Sequence, residues 1–266
     1  MRSTNVLSDD DLHRFARQLI LAGFEENHQL ALLKSHVAVI GAGGLGAPLL
    51  QYLVAAGIGH ITIIDHDMVD VTNLNRQIIH HHHNIGQTKT SSASQHLTSM
   101  DPQVNITMRN EFFDADLTNL NDATVICDAT DNAATRYAAN RFAHHHKIPL
   151  IFGGAVRLEG QLAVFRSGLD PAAPCYECVF PSAAGPELAP GCAEAGILGP
   201  VTGILGSMMA LEAIRQCLMM QNVKQPLGPG LNQQLMLFDG AYLTMDKITL
   251  KKNQDCPCCG NPDQKP

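Results

Sequence analysis

The chain is short of charge, and the charge it carries is not basic. Charged residues fill 16% of its 266 positions, and the formal net charge is −7. A protein that held nucleic acid through its overall field would carry the opposite excess, so no nucleic-acid partner is expected. No apolar run approaches the length of a membrane span, and the opening MRSTNVLSDDD lacks the apolar centre of a signal peptide. No membrane role is expected, and the expected compartment is the cytoplasm. The P-loop signature (GxxxxGK followed by Ser or Thr) is missing, which argues against a P-loop ATPase. No internal repeat and no clear linker divide the chain. Apolar residues are plentiful, at 45%, enough for a sizeable core and against general disorder.

Strand and helix patterns alternate along the first 152 residues. An amphipathic helix is predicted over residues 8–22, with Ser8 as N-cap and three aspartates in its first turn, where the helix dipole favours them. A short helix follows over 27–33. Apolar runs at 36–40, 61–64, 105–108, 124–127 and 149–152 read as strands, with helices over 45–56, 86–99 and 133–145. This alternation predicts an α/β fold: a Rossmann-like parallel sheet with helices on both faces. Beyond residue 152 the pattern changes. Residues 155–165 contain an Arg-Leu-Glu-Gly turn and read as antiparallel strands extending the sheet. Residues 181–200, rich in Gly, Pro and Ala, read as a long loop. A helix over 201–220 and strands at 235–238 and 247–250 complete the pattern. One domain over 1–266 is expected: N-terminal helices 8–35, a nucleotide-binding core 36–152 and a remainder 153–266 ending in a metal-clipped tail.

The first strand runs into Gly41-Ala-Gly43-Gly44-Leu-Gly46, a GxGxxG that opens a helix. Glycines let a phosphate approach the backbone closely, and the helix start offers free N–H groups. Asp65 ends the second strand, where a carboxylate accepts bonds from ribose hydroxyls. Taken alone, the loop speaks for a dinucleotide such as NAD. The next segments add groups that an NAD fold does not need. Arg76 and Lys89 follow the second strand and are suited to a triphosphate. Asp131, after the fourth strand, can hold Mg²⁺, which takes one or two carboxylates and completes its shell with nucleotide oxygens.

Eight cysteines in a chain read as cytosolic point to thiols or metal rather than disulfides. Cys175-Tyr-Glu-Cys178 and Cys256-Pro-Cys-Cys259 are two CxxC pairs, together the four thiolates that structural Zn²⁺ prefers. Cys258 is then spare, and Cys127 and Cys217 fall on buried faces. The histidine runs 80–83 and 144–146 are not read as metal sites, because consecutive histidines cannot all face one ion.

These motifs, taken in order, resemble the E1-like adenylyltransferase family of sulfur-carrier activators (the MoeB/ThiF/HesA family). The resemblance covers Arg14-Phe-Ala-Arg17-Gln18, GAGGLG, residues 65–77, Gly86 to Lys89, Asp128-Ala-Thr-Asp131-Asn132, Glu159-Gly-Gln161, Cys192-Ala-Glu-Ala-Gly-Ile-Leu-Gly-Pro200 and both cysteine pairs. It implies ATP-dependent adenylation of the C-terminal Gly-Gly carboxylate of a ubiquitin-like sulfur-carrier protein, serving molybdopterin or thiamin-thiazole sulfur transfer. It implies that Asp65 holds the ribose, Arg76 and Lys89 the phosphates and Asp131 the Mg²⁺, with Asn73 and Gln77 orienting. It also implies that Arg17 reaches the ATP site of a partner subunit, hence a homodimer. From the residues alone, Arg17 is a charge on an amphipathic helix. Cys192, in the long loop, is a candidate thiol for a covalent link to the carrier. No rhodanese domain follows, so the sulfur donor is expected to be a separate protein. An NAD-dependent oxidoreductase with structural zinc, and a peptide adenylyltransferase of the same fold, stay open at this point.

Overall fold

The computed structural model of the protein describes residues 5–113, 120–181, 195–224 and 226–260. The apolar run His36–Ile40 forms β1, buried at all five positions, as a parallel strand with both faces covered must be. His60–Ile64 (β2), Asn105–Arg109 (β3), Val125–Asp128 (β4) and Leu150–Val156 (β5) share its direction through parallel pairing. Glu159–Phe165 (β6), Gln234–Asp239 (β7) and Thr244–Thr249 (β8) extend the sheet by antiparallel pairing. The order across the sheet is β3-β2-β1-β4-β5-β6-β7-β8. Winding therefore reverses between β1 and β4, and such a reversal opens a crevice outside the carboxyl ends of the strands.

The helices among the described residues are Asp9–Arg14 (α1), Ala16–Leu19 (α2), Glu26–Lys34 (α3), Gly46–Ala56 (α4), Lys89–Met100 (α5), Ala133–His145 (α6), Tyr176–Val179 (α7) and Gly199–Met220 (α8). On one face of the sheet, Leu32 of α3, Leu49 of α4, Leu97 of α5 and Met209 of α8 share a core with Val37, Val39, Ile61 and Ile63. On the other, Phe142 of α6 and Tyr176 of α7 pack with Ala38, Ile40, Ile126 and Phe152. The α/β fold with helices on both faces, and the antiparallel extension, agree with the sequence reading. None of the described helices is long and apolar enough to cross a membrane.

The helix expected over 86–99 begins at Lys89 and the strand expected over 247–250 at Thr244; three other differences have a visible cause. The helix expected over 8–22 breaks at Phe15, whose backbone (φ −96, ψ 10) leaves the helical region. Its ring is buried beside Leu7 and Leu33. Ser8 caps the first piece as predicted, in a reciprocal capping box with Asp11. Gly199 and Pro200, read as loop, begin α8 instead, because proline is tolerated in a first helical turn. β5 runs on through Gly153 and Gly154 to Val156. A side chain at Gly153 would collide with Met209, so the glycine lets α8 lie directly on the strand. Cys192 and most of the loop expected over 181–200 lie outside the described residues.

Candidate active site

The reversal between β1 and β4 does open a cleft. Gly41, Gly43 and Gly44 line it from the loop after β1, Asp65 and Asp67 from the end of β2, and Thr130, Asp131 and Arg136 from the segment after β4. Arg76, Gln77 and Lys89 close one side; Phe112 and Thr202 stand at others. Gly41 has φ +96, a left-handed conformation that glycine adopts without strain. A Cβ on Gly46 would collide with the Gly41 carbonyl oxygen, so the loop folds this tightly only because position 46 is glycine.

Asp65 is the brace of the loop. It is 8% exposed, and its two oxygens accept from the N–H of Ala42 at 2.8 Å and of Asp67 at 2.9 Å. A carboxylate has about four lone-pair sites, so it keeps capacity for ribose hydroxyls. His80 braces the same loop from behind. Its Nε2 lies 3.0 Å from the Ala42 carbonyl, which only accepts, so Nε2 carries the proton. Its Nδ1, 2.8 Å away from Ser92 Oγ, then accepts from that hydroxyl. Burial pushes the His80 pKa below its ordinary value of 6.5. An unfolded histidine takes its proton near pH 6.5 and the folded one only at lower pH. The stability contributed by neutral His80 is therefore complete above about pH 6.5 and is lost as pH falls through the folded pKa. The urea midpoint of the protein is expected to fall between about pH 7.5 and 5.5, and to fall less in His80→Gln. Equal falls in the two chains would remove His80 from this role.

Lys89 is 6% exposed, and its Nζ pairs with Asp67 Oδ2 at 2.7 Å. Arg76 bonds through Nη1 to the Thr72 carbonyl at 3.0 Å and to Asn75 Oδ1 at 3.1 Å. Gln77 is 4% exposed, with its Oε1 lacking a partner, an acceptor waiting for a donor. Beyond β4, Asp128 is fully buried, and its Oδ1 accepts from Thr130 N–H at 3.0 Å and Thr130 Oγ1 at 2.7 Å. Burial raises its pKa, against the pull of Arg136. Arg136 donates to the Thr130 carbonyl at 2.7 Å and lies 5.0 Å over the Phe152 ring. These bonds fix the turn that presents Asp131. Asp131 itself is exposed, and its carboxylate accepts no hydrogen bond from the described residues.

Three expected residues among those described, Gly46, Asn73 and Arg17, do not line this cleft. Asn73 uses its Oδ1 to accept from Asp70 N–H at 3.1 Å, closing a 3₁₀ turn. Arg17 is exposed on α2, elsewhere on the surface of its own chain. Sequence reasoning in turn missed Asp67, Thr130 and Arg136 as parts of the cleft. Asp67 stands between two other aspartates, and spacing alone does not say that Asp65 braces the loop, Asp67 holds Lys89 and Asp70 caps a turn.

The two cysteine pairs meet in a separate cluster beside α6. One ligand atom from each of Cys175, Cys178, Cys256 and Cys259 falls within a cluster spanning no more than 4.8 Å. Cys175 and Cys256 sulfurs are 3.5 Å apart, Cys178 and Cys259 3.4 Å, Cys175 and Cys178 3.9 Å. Sulfurs at 2.3 Å from one tetrahedral ion would be roughly 3.8 Å apart, so these residues fit zinc. Hydrogen bonds from Cys178, Cys258 and Cys259 hold the Cys175 thiol low, while burial pushes Cys256 up to about 11. The cluster is bound to α6. Glu177 is 1% exposed and takes two bonds from Arg141, at 2.9 and 3.0 Å. Asn140 accepts from Tyr176 N–H at 2.9 Å and donates to Cys258 Sγ at 3.3 Å. Cys258 thus has a partner outside the group of four. Arg141→Ala leaves a buried carboxylate with only Asn140 as donor. Because Arg141 is more than half exposed, the expected cost is moderate, about 1–3 kcal/mol, read as a lower urea midpoint. An unchanged midpoint would mean that Glu177 is held by other groups.

A doubly wound α/β sheet, a glycine-loop cleft at its switch point and a four-thiol clip on its tail together define the class. The chain belongs to the ThiF family, which matches residues 15–258. It is 39% identical over 260 residues to the "Adenylyltransferase and sulfurtransferase MOCS3" of Culex quinquefasciatus, covering 96% of this chain and 57% of that protein. It is 36% identical over 260 residues to the "Sulfur carrier protein adenylyltransferase" of Thermus thermophilus, covering 95% of this chain and 92% of the relative. The chain therefore spans little more than half the length of its MOCS3 relatives and nearly all of the bacterial one. Among solved structures, E. coli MccB with ATP superposes with a TM-score of 0.77 at 19% identity, covering 93% of this chain and 75% of that one. That likeness establishes the fold.

Proposed function

We propose that this protein adenylates the C-terminal Gly-Gly carboxylate of a ubiquitin-like sulfur-carrier protein, using MgATP. The observation that carries the reading is the convergence in one cleft of the glycine loop, Asp65, the cations Arg76 and Lys89, and the free carboxylate of Asp131. Membership in a family whose relatives at 36–39% identity are named adenylyltransferases supports it. One carboxylate oxygen of the carrier attacks the α-phosphorus of ATP. The bond from that phosphorus to the bridging oxygen breaks, and pyrophosphate leaves with the electron pair. The products are a carrier acyl-adenylate, ready for sulfur transfer toward molybdopterin or thiamin-thiazole, and pyrophosphate. No protein nucleophile is needed: catalysis is positioning and neutralisation of phosphate charge.

Asp65, fixed by two backbone N–H groups, takes the ribose hydroxyls. Arg76 and Lys89 take phosphate oxygens, Lys89 exchanging Asp67 for them. Gln77 supplies a buried amide beside the glycine loop, and Asn73 supports the turn that carries Arg76. Asp131 would hold Mg²⁺, which supplies charge neutralisation on the phosphates. Cys175, Cys178, Cys256 and Cys259 would hold a structural Zn²⁺. Residues 8–35, 36–152 and 153–266 act as one unit, the last of them receiving the carrier. Cys192, outside the described residues, is the candidate thiol for a covalent carrier link, and a separate sulfur donor would follow.

Arg17 serves the cleft of a second copy in a homodimer. Supporting this, Ile20, Leu21, Tyr52 and Leu211 on α4, α8 and the turn after α2 are exposed apolar side chains. Gln18, Tyr52 and Leu211 line one shallow groove there.

The reading is tested by ATP–pyrophosphate exchange. Labelled pyrophosphate should enter ATP only when a carrier ending in Gly-Gly is added. Exchange absent with every such carrier, together with NADH fluorescence changes on binding, would favour an oxidoreductase instead.

A further inference from the structure

The amino ends of β1 and β2 lie at the opposite end of the sheet from the cleft. His36 and His60 stand there in register on neighbouring strands. Their rings stack with centroids 3.8 Å apart. His36 Nε2 lies 2.8 Å from Thr62 Oγ1, and His60 Nε2 lies 2.9 Å from Thr107 Oγ1. Each ring is thus pinned through Nε2 by a threonine one strand further along, and its other nitrogen is spared that bond. For His36, fixing one nitrogen in this way orients the ring to present the other to an ion.

Asp122, in the turn before β4, faces this pair. Its Oδ2 lies 3.3 Å from His36 Nδ1. That nitrogen is buried, and Asp122 is the group it faces, at ion-pair distance from the carboxylate. The gap is long for a charge-assisted N–H···O bond, which runs about 2.7–2.9 Å. It matches the separation of two atoms bound at about 2.1 Å to one ion, roughly 3.0–3.4 Å. One ligand atom each from His36, His60 and Asp122 fits within a group spanning no more than 4.8 Å. Burial lowers the pKa of both histidines, against the pull of Asp122.

We propose that His36, His60 and Asp122 form a second metal site, distinct from the cysteine cluster, for a divalent transition ion of the zinc, cobalt or nickel class. Two imidazoles and one carboxylate suit those ions better than Mg²⁺ or Ca²⁺. The stacked rings hold their lone pairs in parallel planes, so binding requires the half-buried His60 ring to give up its Thr107 bond and turn until the two lone pairs converge. Asp122 is the exposed arm that closes over the ion. The bound ion would tie β1 and β2 to the segment leading into β4, which already exchanges two bonds with His36 through Thr124. That segment continues to Asp128 and Asp131, so the site would steady the strand that presents the cleft carboxylate.

The test is Co²⁺ titration of the full chain already loaded with one zinc at the cysteine cluster, followed by d–d absorption. Sulfur-to-cobalt charge-transfer bands report any exchange at the cysteines. The wild-type protein is expected to take up one Co²⁺ at micromolar concentration without those bands. His60→Ala and Asp122→Asn should each weaken that binding about tenfold or more. Asp122 is exposed and the asparagine is isosteric, so this variant keeps the test sound even if His60→Ala folds poorly. His81→Ala should bind as wild type. His81 Nε2 lies 3.1 Å from His96 Nδ1, so this variant removes a second close histidine pair. Failure of wild type to bind Co²⁺ would mean that only a proton fills the gap. Unchanged binding in Asp122→Asn, or loss of binding in His81→Ala, would likewise overturn the proposal.

Discussion

Asp131→Ala and Arg17→Ala chains are each expected to be strongly impaired alone and to regain activity when mixed. Asp131 is the exposed carboxylate on the cleft wall, held out by the Asp128–Thr130–Arg136 turn. If Asp131 holds Mg²⁺ as proposed, its loss should lower pyrophosphate exchange on the order of a thousandfold. Arg17 lies outside its own cleft, so nothing in its own chain makes it matter to catalysis. If it reaches the phosphates of a second copy, its loss should cost about 1.5–3 kcal/mol, roughly ten- to a hundredfold in rate. A heterodimer of the two variants has one site with both lesions and one with neither. Mixed chains should recover up to about half of wild-type activity per heterodimer. No recovery, with heterodimers shown to form, would mean that Arg17 does not act across an interface.

Cys259→Ser is expected to lose most of the zinc, from about one per chain in wild type, whereas Cys258→Ser keeps it. The geometry separates the two adjacent thiols. Cys259 sulfur is 3.4 Å from Cys178 sulfur inside the cluster. Cys258 sulfur takes a bond from Asn140. Structural zinc contributes roughly 10–16 kcal/mol of apparent binding in small peptides. In a domain of this size the sheet folds around its own core, and a bound zinc would chiefly fix the tail to α6, which Glu177 and Arg141 join. A loss of at least about 3 kcal/mol is expected. That is roughly 6 °C or more in Tm for a chain of this length. Zinc lost from Cys258→Ser and kept in Cys259→Ser would exchange the roles of the two residues.

The order of the elements was legible because burial writes itself as periodicity. β1 and α6 fall where the pattern places them, at His36–Ile40 and Ala133–His145. Where boundaries were missed, a tertiary contact decided them. The apolar period runs unbroken across Phe15, but its ring turns inward against Leu7 and Leu33 and ends the helix there. Two glycines hide the second half of β5, and the first of them, Gly153, is there for the helix above it rather than for the strand. In the site, spacing identified the glycine loop, the strand-end aspartates and both CxxC pairs. It gave no sign that Asn73 turns into its own 3₁₀ turn, or that Lys89 is held by Asp67. Nor did it mark Glu177 as the anchor of the cysteine cluster, since Arg141 lies 36 residues away on another element. Side-chain direction in a loop depends on partners distant in sequence, and no local pattern encodes it.

The most direct measurement is the intact mass of a Gly-Gly carrier after incubation with this protein and MgATP. An adenylating enzyme gives a carrier heavier by one AMP, matched by pyrophosphate in solution, with both products missing in the Asp131→Ala chain. A carrier of unchanged mass, from a folded, zinc-loaded protein shown to bind both ATP and that carrier, would contradict adenylation as the activity of this cleft.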